Sequence, residues 1–327
     1  MPTAFKPMQR PFSPGPRFRG DERNIGNISH LLRRTITPLL AFFALPLAGC
    51  HAQTPPRPKH TVAGLPPYCD SVPPAAQTLR GAVSFDYRPV GGRDLYIHVF
   101  SPAGGGAHRP AALMFFGGGF QNGDVGSLAR QAKSFADHGY VAAIADYRVF
   151  CRDATRPADA FEDAGDAREW MRANAAKLGI DPGRLVLVGE SSGGALAAAT
   201  ALRAPPEARP AALVLFNPVT DLRVGPWASQ MTPAQLLDFS PSLLPAERLP
   251  PTIVFHGTAD HLVPIATSRD FCDRARAFGR TCRLVEYPGE DHSFYDRKSP
   301  LPGLGPSPFD DTLAKTFAFL GTTPAHR

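Results

Sequence analysis

The 327 residues predict an α/β domain, with a mostly parallel sheet flanked by helices. Three observations lead there. Apolar runs rich in Val, Leu, Ile and Phe alternate with helically spaced segments from residue 82 to residue 320. Glycine (30) and proline (36) separate these runs into many short elements. The chemically capable polar residues fall directly after the apolar runs, where sheets of this kind bind ligands.

The elements follow in chain order. Residues 1–50 read as an export signal: Arg33 and Arg34 precede a short apolar stretch that ends Leu47-Ala48-Gly49-Cys50. Residues 51–80 are Pro-rich and polar, a tether. Residues 81–327 form the domain. Within it, 82–88 and 94–100 alternate as half-buried strands about a Gly91-Gly92 turn. Buried strands are expected at 111–116, 140–147, 185–189, 211–217, 252–257 and 282–287. Helices are expected at 126–138, 159–177, 195–202, 267–279 and 309–320. The Pro-rich stretch 221–250 forms a small cover.

Charge narrows the function classes. The formal charge is +6, but residues 1–50 carry seven Lys/Arg and two acids, so +5 lies there. The rest holds 28 basic and 27 acidic residues, a net of +1, which excludes a nucleic-acid footprint. Export permits disulfides. With Cys50 set aside, the short separation favours Cys272 with Cys282 and leaves Cys69 with Cys151; four buried thiols are the other reading. There is no HExxH and no CxxC, and Asp163 and Asp166 at helical spacing read as a solvated face or a local brace, so neither metal nor cofactor is expected.

The chemistry centres on LVLVGESSGG, residues 185–194. A Gly-x-Ser-x-Gly frame sets a nucleophile on a tight strand-to-helix turn. With Ser191 as centre the flanks are Gly189 and Gly193; with Ser192 they are Glu190 and Gly194, and a glutamate fits the crowded first position poorly. Ser191 is therefore the candidate nucleophile, and the Ser192 N–H a candidate donor to an oxyanion. Phe116-Gly117-Gly118-Gly119-Phe120 after an earlier strand offers bare backbone N–H groups for the same purpose, Gly118 and Gly119 among them. His292 follows the strand 282–287 and is the candidate base; His256 lies inside a strand and His261 in a loop. Asp260, just after the strand 252–257, is the candidate to orient His292, with Asp221, Glu290 and Asp291 as weaker competitors by position.

Taken together, GESSGG, the triple-glycine loop, ADYR (145–148), FHGTADHLVP and YPGEDHSF resemble the hormone-sensitive-lipase-like esterases of the α/β-hydrolase fold, over roughly residues 80–320. The similarity is greatest to bacterial acetyl-esterase and acetyl-xylan-esterase-like proteins. The resemblance implies Ser191, Asp260 and His292 as a triad, Gly118, Gly119 and Ser192 as the oxyanion hole, a minimal cap, no cofactor, and a small-molecule or carbohydrate ester as substrate. Leu47–Cys50 resembles a bacterial lipobox. That implies a lipid anchor on Cys50 and an envelope location, at the outer membrane or in the periplasm of a Gram-negative cell. One departure stands in the glycine loop: many such proteins carry His-Gly-Gly-Gly, and here Phe116 holds the histidine position. Two other functions fit the fold: a surface lipoprotein that binds without turnover, and a serine peptidase.

Overall fold

The computed structural model describes residues 64–299 and 305–322. The expected signal, Cys50 and the first part of the tether lie outside the described residues.

Eight strands form one sheet: β1 (Val83–Val90), β2 (Arg93–Phe100), β3 (Arg109–Phe115), β4 (Val141–Ala145), β5 (Ile180–Glu190), β6 (Ala212–Phe216), β7 (Thr252–Gly257) and β8 (Cys282–Tyr287). The helices are α1 (Ala129–Asp137), α2 (Phe150–Asp153), α3 (Pro157–Ala173), α4 (Ala175–Leu178), α5 (Ser191–Arg203), α6 (Pro233–Phe239), α7 (Ile265–Ala277) and α8 (Pro308–Thr322). The strand order is β1-β2-β4-β3-β5-β6-β7-β8. Only the β1–β2 and β2–β4 pairings are antiparallel. From β4 to β8 every neighbour is parallel.

Connection geometry distributes the helices. Parallel crossovers are right-handed. The step from β3 to β4 runs opposite to those from β4 to β5 and β5 to β6, so α1 covers one face while α3 and α5 share the other. The C-terminal α8 joins α1, with Phe317 edge-on to Phe135 at 5.0 Å. A strand covered on both faces must be apolar throughout. Ala111–Phe115 of β3 is wholly buried, and Leu113 pairs with Ala143 on one side and Leu187 on the other. In α5, Ala195 and Ala197–Ala199 are fully buried, and these small side chains let the helix lie close against the sheet.

Several boundaries differ from the sequence reading; β5, for one, begins at Ile180 rather than at residue 185. The helix expected at 159–177 breaks at Asn174 into α3 and α4, and Gly179 ends the second in a left-handed conformation, φ 66°. The helix expected at 195–202 begins four residues earlier, at Ser191. Residues 67–80, grouped with the tether on composition, pack with the domain. Cys69 is buried in a turn and bonded to Cys151, and Ala76 and Leu79 pack on the core. The second disulfide joins Cys272 to Cys282; the Cα separations are 4.9 Å for Cys69–Cys151 and 5.1 Å for this pair. The stretch 221–250 holds only α6 and short 3-10 turns, a small cover that sets Trp227 edge-on to Phe120.

Candidate active site

The site lies at the carboxyl ends of β3, β5, β7 and β8. Chain direction reverses sharply between β5 and α5. Ser191 occupies that corner with φ 51°, a left-handed conformation uncommon for a residue with a side chain. The corner is possible because its neighbours lack side chains. A Cβ on Gly189 would lie 2.2 Å from the Gly193 carbonyl oxygen, and one on Gly193 would lie 2.1 Å from that of Phe115. The two serines differ accordingly. Ser192 is fully buried, whereas the Ser191 Oγ is 3.1 Å from His292 Nε2.

Behind it, His292 Nδ1 lies 2.7 Å from Asp260 Oδ2. With Nδ1–H donating to the carboxylate, Nε2 is left to accept the Ser191 hydroxyl proton. The other Asp260 oxygen, Oδ1, accepts the N–H groups of Leu262 (3.0 Å) and Val263 (2.8 Å). Burial works to raise the Asp260 pKa. Hydrogen bonds from His256, His292 and the Val263 N–H outweigh it and hold the carboxyl well below the usual range. The competing acids are engaged elsewhere: Asp221 with Arg223, Glu290 with Arg297, and the exposed Asp291 with His261.

The glycine loop is held from two sides. Gly117 donates its N–H to Glu190 Oε1 at 2.9 Å, and Ser127 Oγ donates to the same oxygen at 2.8 Å. The Glu190 carboxyl is pushed up by burial, against the pull of these donors. Gly119, expected to point its N–H at an oxyanion, instead donates to Ser192 Oγ at 3.0 Å. The reason is local: the residue after the nucleophile is a serine, and its hydroxyl reaches the loop. Among the described residues, Gly118 is the one of the three glycines whose N–H has no acceptor. Its φ of 121° and a would-be Cβ 2.3 Å from the Asn122 carbonyl oxygen both require glycine. The Ser192 N–H, in the first turn of α5, has no intrahelical partner. Phe116 is buried and stacks on Tyr147 with ring centroids 4.1 Å apart.

Several contributors escaped the sequence reading. His256 lies beneath the site, its Nε2 2.9 Å from the Val263 carbonyl and 3.2 Å from Asp260 Oδ2, its Nδ1 bonded to Ser268. Asn217 follows β6 with its Nδ2 3.3 Å from His292 Nε2; its place at a strand end was the available signal. A cavity of ≈ 420 Å³ opens onto Ser191 and His292, walled by the glycine loop, Pro226, Trp227, Leu262 and Val263.

A nucleophile on a strand-to-helix corner, a histidine and a carboxylate from later strand ends, and open backbone donors define the serine-hydrolase class on an α/β sheet. A family model described as alpha/beta hydrolase fold matches residues 112–240. Apo esterase 2 of Thermogutta terrifontis superposes with a TM-score of 0.67 and 36% identity, over 76% of this chain and 97% of that one. The chain belongs to the α/β-hydrolase family. Curated relatives include the isoprenylcysteine alpha-carbonyl methylesterase of Arabidopsis thaliana (25% identical, 73% of this chain, 62% of that protein). Esterase LipC of Mycobacterium tuberculosis is 27% identical over 73% of this chain and 64% of its own length. Ethyl acetate hydrolase of Pseudomonas putida is 33% identical over 56% of this chain and 66% of its own length. The chain thus spans just under two thirds of the length of these curated relatives.

Proposed function

We propose that the protein is a serine carboxylester hydrolase acting on short acyl esters, acetyl among them, through an acyl-enzyme. The observation that carries this reading is the unbroken line from Ser191 Oγ to His292 Nε2 and from His292 Nδ1 to Asp260, opening into a small cavity. Ser191 Oγ attacks the ester carbonyl carbon while His292 Nε2 takes its proton. Asp260 stabilises the imidazolium. The carbonyl oxygen, now negative, faces the N–H groups of Gly118 and Ser192. The C–O bond to the alcohol breaks as His292 returns the proton to the departing oxygen. Water, deprotonated by the same histidine, then releases the acid.

Short chains are favoured because the cover is small: among the described residues, 221–250 holds only one short helix and 3-10 turns. The Thermogutta esterase solved with propionate and with butyrate, and the Pseudomonas enzyme named for ethyl acetate, support this size. A carbohydrate acetate is the proposed natural substrate, on the resemblance of the sequence motifs. The proposal extends to export and lipidation at Cys50, on the strength of residues 31–50 alone. Loss of detergent-phase partitioning in a full-length Cys50→Ala variant is the expected outcome; unchanged partitioning removes the anchor.

p-Nitrophenyl esters from acetate to octanoate test the activity. Acetate to butyrate should be cleaved fastest. Ser191→Ala should lose on the order of 10⁴–10⁶ in kcat and should no longer react with a fluorophosphonate probe. A wild-type protein inert on every ester and unlabelled by the probe would instead be a binding module.

A further inference from the structure

The glycine loop has to keep the Gly118 N–H aimed at the nucleophile, yet Phe116, at its head, has no polar side-chain atom to brace it. Two buried hydroxyls stand there instead. The Gly119 N–H donates to Ser192 Oγ at 3.0 Å. The Tyr147 hydroxyl donates to the Phe116 carbonyl at 2.6 Å. One bond holds the loop at Gly119 and the other holds it at Phe116. Ser192, Tyr147 and Phe116 are all fully buried, so water does not compete for these bonds. Stacking of the Phe116 and Tyr147 rings, 15° from parallel, fixes the phenol laterally. The Arg152 Nη1 donor to the Gly123 carbonyl, at 2.5 Å, secures the far end of the same loop.

We infer that Ser192 and Tyr147 are positioning residues for the oxyanion hole: the Ser192 hydroxyl binds the glycine loop to the first turn of α5, the Tyr147 hydroxyl binds it to the segment after β4, and together they hold the Gly118 N–H in place. The inference rests on the esterase reading above. It gives Ser192 two separate tasks, its N–H to the oxyanion and its hydroxyl to the loop. It also explains why the Gly119 N–H, turned toward Ser192, is a structural donor rather than one that meets the substrate.

The test compares Ser192→Ala, Tyr147→Phe and the double variant with wild type on p-nitrophenyl acetate. A trifluoromethyl ketone, which forms a tetrahedral adduct on the serine, serves as the second probe. Each single variant should lower kcat about tenfold, less than the roughly 10²–10³ lost when a donor is removed outright, with KM changed less than about twofold. Affinity for the trifluoromethyl ketone should weaken by the same factor as kcat/KM. The double variant should be slower than either single, because the two hydroxyls hold separate points of one loop. Unchanged or faster kcat in both singles overturns the inference. So does a rise in KM with kcat intact. A wild type that turns over while the variants match it refutes the positioning role alone. A wild type with no turnover refutes the esterase reading and this inference with it.

Discussion

Asp260 shows how a single side chain is set by its surroundings. It is buried, which alone would favour the neutral acid, but two backbone N–H groups and two imidazoles surround it. Its folded pKa is therefore depressed below that of the unfolded chain, about 3.9. A carboxylate of that kind contributes stability in full above the unfolded value, and the contribution is lost as pH falls through the depressed folded value. The gap in urea midpoint between wild type and Asp260→Asn should stay constant from about pH 7 to about pH 5, then narrow below about pH 4. A gap that narrows already near neutrality would mean that Asp260 is not held in this way. Activity of the same variant should fall on the order of 10⁴-fold even at neutral pH, because an amide leaves the imidazole in the wrong tautomer.

At the scale of the element, the corner between β5 and α5 decides what the site can be. Strand and helix approach so closely that Gly193 sits against the β3 backbone. Gly193→Ala should destabilise the domain by about 3 kcal/mol and lower the yield of active protein, read by thermal melting and probe labelling. Gly165, inside α3, has ordinary helical φ and open space around its would-be Cβ. Gly165→Ala should therefore stabilise by about 0.5–1 kcal/mol. The opposite signs of two identical exchanges distinguish close approach from mere helix propensity; equal signs would refute the crowding at the corner.

For the whole molecule, the disulfides reach across the chain very unequally. Cys69–Cys151 spans 82 residues and ties the segment before β1 to α2, whose first residues Phe150 and Cys151 donate N–H groups to the Phe120 and Gln121 carbonyls. Cys272–Cys282 spans 10 residues and joins α7 to β8. Loop-closure entropy assigns about 4.5 kcal/mol to the first and about 2–3 kcal/mol to the second. Serine replacement of each pair should lower the urea midpoint in that order. The longer bridge should also matter more to turnover, because it borders the glycine loop; a larger effect from the short bridge would contradict the entropic ordering.

The order of strands and helices was legible in the chain because buried parallel strands must be continuous apolar runs, and Ala111–Phe115 and Leu185–Val188 are such runs. The candidate nucleophile was legible because a crowded corner admits only glycine at fixed offsets from the serine, and that is a local constraint. Asp260 and His292 were legible through their places just after strand ends. Other features depend on which loops meet in space, and sequence distance does not report that. Asp221, Glu290 and Asp291, weaker competitors by position, are each found with a separate partner in the fold. The Gly119 N–H read as a free donor until the Ser192 hydroxyl, 73 residues away, was found to accept it. His256 read as a structural strand residue, and the fold shows what it supports: it lies under Asp260. Local steric rules are written in the order of residues, whereas hydrogen-bond partnership is a property of packed neighbours, and the packing of distant loops supplied the oxyanion loop's brace and the floor of the site.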